Sequence, residues 1–195
     1  MKFFVKWLSF LISLPFRFKG GRIGKDSYIA PGYDFWFVNL GGVEIGDNCA
    51  IGRNAWIEMI GRTAKLKISN GINIGRNVTI SCSREIKIGR KCLLSYNVSL
   101  LDHDHELFCP DISPMDSGLS VGRKIIIEDD CFIGAHSFIL KGVHLGKHCI
   151  VGANSVVTKS FPAGSVVAGS PAKLIKSLRE EKRFGYNHLL KSKKK

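Results

Sequence analysis

Between Asp102 and His105 the chain alternates carboxylates and imidazoles: Asp102, His103, Asp104, His105. An unperturbed imidazole titrates closer to neutral pH than other side chains, which suits it to take a proton from a hydroxyl whose oxygen attacks a carbonyl. A neighbouring carboxylate can hold the ring in the tautomer that leaves one nitrogen free to act. The pattern therefore points to general acid–base work, with both histidines on one face if the strand stays extended. The six cysteines offer no rival centre, because no Cys-x-x-Cys spacing occurs and a cysteine-held zinc is not expected.

What must position these groups is a repeat. From Ile127 the chain reads IEDDCF, IGAHSF, ILKGVH, LGKHCI, VGANSV, VTKSFP, six hexapeptides opened by Ile127, Ile133, Ile139, Leu145, Val151 and Val157. The same phase recurs from Ile45, Ile74 and Ile88, and more weakly from Ile23. Each hexapeptide supplies a short strand with its opening aliphatic turned inward, and Gly or Asn at the next positions allows the turn. Three strands make a triangular coil of 18 residues, and stacked coils make a parallel β-helix in which each coil covers the next. Cys49, Cys92, Cys131 and Cys149 fall four residues after an opening aliphatic, a slot held elsewhere by Ser, Ala or Val. They read as small buried hydrophobes in a reduced compartment. The period fails after Leu100 and resumes near Ile125, across Pro110, Pro114 and Gly118. A protruding loop over 101–124 is expected there, with both histidines at its start.

The stretches IGRNVTI and IEDDCFIGAHSFILKGVHLGKHCIVGANSVVTKSFPAGSVVAGSPAKLIK resemble the hexapeptide-repeat acyltransferases. Within them the chain is most similar to the maltose and galactoside O-acetyltransferases and the capsule and exopolysaccharide O-acetyltransferases. The resemblance implies an all-β solenoid, a left-handed parallel β-helix over 20–172, between an amphipathic segment at 1–19 and a basic tail at 173–195. It implies acetyl-CoA as co-substrate, no metal, and a homotrimer whose sites are each shared by two chains. The family places its catalytic histidine eight residues after the Asn of the hexapeptide entering the loop, which from Asn97 lands on His105. His103 is then a neighbour that shares the role or contacts substrate. Substrate contacts are expected at Ser83, where galactoside-type enzymes carry an Asn one coil earlier, at Asp102 and Asp104, and at Met115 in the loop. The pantetheine arm is expected against the backbone of Gly134, Ala135, Gly152 and Ala153, where small residues permit close approach. Thr158, Lys159, Lys173 and Lys176 are expected to meet the phosphates.

The formal charge of +13 is confined to the ends: residues 1–25 carry six cations and no acid, residues 173–195 nine cations and two acids. A neutral body with basic ends suits an anionic membrane surface or a phosphate-bearing ligand, and no nucleic-acid-binding motif accompanies it. The uncharged run Trp7–Phe16 is well short of the ~20 residues that span a bilayer, and no small-x-small cleavage site comes after it. At helical spacing Lys2, Lys6, Ser9, Ser13 and Arg17 form a polar stripe amid Phe3, Phe4, Trp7, Leu8, Phe10, Leu11 and Leu14. Such a helix fits a lipid interface or caps the stack. The tail is expected to continue as a basic helix with Leu178, Phe184 and Leu189 to one side. The expected activity is acetyl transfer from acetyl-CoA to a sugar hydroxyl of a surface polysaccharide or its lipid-linked precursor. The expected place is the cytoplasm, peripheral on the inner face of the membrane. N-acetylation of an amino sugar and a non-catalytic β-helix scaffold are the alternatives. A zinc hydratase on the same solenoid needs three histidines, and His136, His144 and His148 do not reproduce its spacing.

Overall fold

The computed structural model describes residues 11, 13–30, 32, 40–106, 111–113 and 115–178. Among them, 19 short strands stack on three faces of a triangular solenoid. The first face carries Arg22–Ile23, Val43–Ile45, Lys65–Ile68, Glu85–Ile88, Ile125–Ile127 and His144–Leu145. The second carries Tyr28–Ile29, Ala50–Ile51, Asn73–Ile74, Leu93–Leu94, Phe132–Ile133, Ile150–Val151, Ser165–Gly169 and Ala172–Ser177. The third carries Trp56–Met59, Thr79–Cys82, Ser99–Leu101, Phe138–Leu140 and Val156–Val157.

The hexapeptide phase sets the register. On the first face Ile45 pairs with Ile68, then Ile88, Ile127 and Leu145; on the third, Ile57 with Ile80, Leu100, Ile139 and Val157. All of these are buried, and each such side chain contributes about 1.5–3 kcal/mol relative to exposure. On the first and second faces the third residue after an opening aliphatic recurrently lies in the left-handed region: Asn48, Asn54, Asn77, Asn97, Asn154, Asp26 and Asp130, joined by Lys91, His136 and His148. Asn and Asp tolerate that conformation best, which explains their recurrence. The glycine next to the aliphatic answers to crowding instead: a Cβ on Gly134 would lie 2.5 Å from the Ala153 nitrogen of the next coil.

Cys49, Cys92, Cys131 and Cys149 are buried free thiols. Each donates to a carbonyl one coil on, at 3.0 Å to Ser69, 3.1 Å to Glu128, 3.2 Å to Gly146 and 3.2 Å to Pro162. They pack as the repeat predicts and tie the coils together as well.

At the amino end, residues 13–18 are helical and Phe16 enters the core, so this turn covers the first coil. Ser13, expected on the polar stripe, is buried instead and accepts from Arg17 Nε at 3.4 Å. Phe18, by contrast, is 85% exposed. The expected stripe at Lys2, Lys6 and Ser9 and the basic helix over 179–195 lie outside the described residues. At the carboxy end, Ala172–Ser177 returns antiparallel along Ser165–Gly169. Lys173 and Lys176 thus belong to the sheet. No helix among the described residues is long and apolar enough to cross a membrane.

Candidate active site

Strand Ser99–Leu101 lies between Thr79–Ser81 and Phe138–Leu140, so Leu100 continues the core column and Asp102 begins the turn toward the first face. The Asp102 side chain is fully buried. Its Oδ1 accepts from the Ser83 amide at 2.7 Å, Ser83 Oγ at 3.0 Å and His103 Nδ1 at 3.0 Å. Its Oδ2 accepts from the Arg84 amide at 2.8 Å, the Glu85 amide at 3.0 Å and Cys82 Sγ at 3.5 Å. Burial pushes the carboxyl pKa up, but the bonds from His103, Ser83 and Arg84 outweigh it and hold the group below its ordinary value. Burial and the Asp102 charge together push the Cys82 thiol up, so it stays a donor. An ionised Asp102 can only accept; His103 must therefore carry its proton on Nδ1, and the lone pair of the neutral ring is on Nε2. Only 9% of the His103 side chain is exposed.

The break in the period is an arm with an antiparallel root. Arg123 N–H donates to Asp102 O at 2.7 Å, Ser120 N–H to Asp104 O at 2.8 Å, and Glu106 N–H to Gly118 O at 3.1 Å, with His105 bridged to Leu119. His105 is exposed on this root, and among the described residues its ring has no hydrogen-bond partner. Asp104 turns outward to Lys141 Nζ at 2.7 Å, which also donates to Ser120 Oγ at 3.0 Å. Met115 is 90% exposed on the arm. Ser83 Oγ faces Asp102, one step removed from the His103 ring.

Three residues of this neighbourhood were not anticipated from the sequence. Glu58 accepts a short hydrogen bond from Ser81 Oγ, and the register Glu58, Ser81, Leu101 leads along one outward column to His103, two residues beyond Leu101. No cation pairs with Glu58 among the described residues. Strand alternation in Trp56–Met59 and Thr79–Cys82 was the available signal, since it turns Glu58 and Ser81 away from the core column together, with Ser81 itself buried. Lys141 carried none, because its partners lie in the arm.

The expected donor residues fall at two corners. Gly134, Ala135, Gly152 and Ala153 stack where the second face turns into the third, with Gly134 N–H on Val151 O at 2.8 Å and Asn154 N–H on Ala135 O at 2.9 Å. Thr158 and Lys159 are exposed after Val156–Val157, at the corner between third and first faces that also holds His103; Lys159 Nζ lies 5.8 Å from the Phe161 ring centre. Lys173 and Lys176 stand exposed on the antiparallel strand of the second face. Among the described residues no three His, Cys, Asp or Glu side chains form a group that could hold a metal ion. His144 bonds Glu128 at 2.9 Å, and His136 stands edge-on to Tyr96.

The family described as the hexapeptide repeat of succinyl-transferase matches residues 42–82 and 124–159. The protein named lipopolysaccharide biosynthesis O-acetyl transferase WbbJ, from Escherichia coli, is 31% identical over 150 residues, covering 73% of this chain and 76% of its own. The galactoside O-acetyltransferase of Lactococcus lactis is 28% identical over 145 residues, covering 74% and 68%. In fold, the chain matches AntD, an N-acyltransferase from Bacillus cereus solved with dTDP and 3-hydroxybutyryl-CoA, with a TM-score of 0.70, 22% identity and coverage of 93% and 96%. That match fits the left-handed β-helix implied by the resemblance. With its columns, its interrupted coil and these relatives, the chain belongs to the hexapeptide-repeat acyltransferases.

Proposed function

We propose that the protein transfers an acetyl group from acetyl-CoA to a sugar hydroxyl, with His103 as general base. The observation that carries this reading is the 3.0 Å contact between His103 Nδ1 and the buried, ionised Asp102. His103 Nε2 takes the hydroxyl proton as the acceptor oxygen bonds to the thioester carbonyl carbon. A backbone N–H stabilises the oxyanion of the tetrahedral intermediate. Asp102 stabilises the imidazolium, and the proton passes to sulfur as the carbon–sulfur bond breaks. General-base catalysis of this kind supplies roughly 10²–10⁴-fold in rate. The expectation of His105 as base gives way to His103, because among the described residues no group orients the His105 ring. Asp102 and Ser83 become positioning residues; Glu58 and Ser81 take over as acceptor contacts.

The names of the relatives support acetyl-CoA as donor and a surface glycan as acceptor. The donor arm runs along Gly134, Ala135, Gly152 and Ala153 of one chain and meets the His103 corner of another in a homotrimer. The two-corner arrangement supports this, as do the exposed Leu93, Phe132, Phe138 and Trp56 on the second and third faces. Exposed Phe18 beside Arg17, Lys19 and Arg22 supports peripheral contact with the inner face of the membrane from the cytoplasm. The Glu58 carboxylate, unmatched by a cation among the described residues, favours one second reading, an amino sugar whose ammonium it holds. The test is thiol release from acetyl-CoA with galactose, glucosamine and N-acetylglucosamine as acceptors, in wild type, His103→Ala and His105→Ala. Loss in His103→Ala alone is expected; loss in His105→Ala alone contradicts the assignment, and turnover restricted to glucosamine selects the amino-sugar reading.

A further inference from the structure

Beside the base, two arginines stand on successive coils, and among the described residues no carboxylate pairs with either. Arg84 and Arg123 each lie two residues ahead of the paired Ile86 and Ile125, and both are exposed. Their amides hold the catalytic turn, Arg84 N–H on Asp102 Oδ2 at 2.8 Å and Arg123 N–H on Asp102 O at 2.7 Å, so the side chains spring from the root of His103. Arg84 Nη1 donates to Gly122 O at 3.3 Å, and among the described residues the Arg123 guanidinium has no hydrogen-bond partner. Arg123 lies close over Gly142, where an added Cβ would be 3.4 Å from its Cζ.

The described acids beside them, Glu85, Asp102 and Asp104, are engaged. Glu85 is held by Lys124 and by Lys87 at 2.9 Å, which together bring its pKa down to about 2. Asp104 pairs with Lys141 at 2.7 Å, and Asp102 is turned inward. Like charges opposite each other on neighbouring strands are unfavourable, so an arginine pair left open on adjacent rungs marks a place for an anion. Rungs lie about 4.8 Å apart, which lets one guanidinium meet each of two linked phosphoryl groups in its forked geometry.

We propose that Arg84 and Arg123 bind the diphosphate of an acceptor sugar carried on a diphosphate, holding that sugar against His103. This rests on the acetyltransferase reading and names the class of acceptor it uses: a sugar joined through diphosphate to a nucleotide or to a polyprenyl lipid.

The test is calorimetric titration of the full chain, first saturated with coenzyme A so that the donor's own phosphate contacts are filled, with inorganic pyrophosphate. Pyrophosphate is expected to bind, and Arg84→Gln and Arg123→Gln are each expected to weaken it about tenfold or more, since each removes a charge-assisted contact, while coenzyme A affinity stays unchanged. Coenzyme A displacing pyrophosphate, or losing affinity itself in the two variants, would assign the arginines to the donor and overturn the proposal. Variants that bind pyrophosphate like wild type overturn it too. If coenzyme A does not bind at all, the acetyltransferase reading fails, and pyrophosphate titrated into the protein alone still decides the anion site. Uridine diphosphate glucose and farnesyl diphosphate in the same titration separate the carriers: binding tighter than pyrophosphate by the first supports a nucleotide, by the second a lipid.

Discussion

The coils from Ile125 to Val157 and the coil broken after Leu101 share one core pattern and differ in how the chain leaves the third face. In the unbroken coil, Phe138–Leu140 runs into Lys141, Gly142 and Val143 and the chain returns at once to the first face. In the broken coil, Asp102 takes the corresponding place, its buried carboxylate collects the amides of Ser83, Arg84 and Glu85, and an arm leaves the solenoid. The comparison teaches that the break is anchored more firmly than the regular turn. A fully buried carboxylate stands where the unbroken coil has the part-exposed Lys141, and satisfying it fixes the ring beside it.

Removing the ring tests the broken coil most severely. His103→Ala is expected to lower kcat by at least about 100-fold with little change in melting temperature, whereas Ile139→Ala, one rung away in the unbroken coil, costs about 2–5 kcal/mol of stability. Steady-state kinetics and thermal melts of both variants check the split. Asp102→Asn should combine the two losses. The amide puts an N–H2 among donors, removing charge-assisted bonds worth about 1.5–3 kcal/mol each, and it no longer selects the Nδ1–H tautomer.

The same carboxylate has a signature in acid. Because its folded pKa is depressed, its stabilisation is fully present above the unfolded value of about 4 and is lost as the pH falls through the lower folded value. Urea midpoints measured from neutral pH downward should fall in this window for wild type and less steeply for Asp102→Asn. The smallest effect is expected at the arm. Lys141→Ala removes a part-exposed ion pair worth about 0.2–1 kcal/mol, so stability barely moves while hydrogen exchange at the Ser120 amide quickens.

The columns were legible because every core position repeats at a fixed interval, and Asp102 to His105 were legible because they stand where the period stops. The division of labour within that stretch was not. Hydropathy assigns an aspartate to the surface, and only the convergence of three backbone amides from the previous coil turns Asp102 inward and makes His103 the oriented ring. Counting from Asn97 leads to His105, whereas the ring that finds a carboxylate is His103, which spacing along a chain does not register. Glu58 escaped notice for the complementary reason: its partner Ser81 is a neighbour in register and lies 23 residues away along the chain. Residues 173–177, with Lys173 and Lys176, read as the start of the tail, yet the backbone of Ala172–Ser177 pairs with Ser165–Gly169.

The central claim is that Asp102 holds His103 with Nδ1 protonated and Nε2 free. The most direct measurement is the ¹⁵N spectrum of the histidine rings at a pH where they are neutral, in wild type and Asp102→Asn. The account predicts a His103 ring in the Nδ1–H form that loses this preference in the variant, with His105 unaffected. A His103 ring in the Nε2–H form, or one indifferent to Asp102, would contradict it.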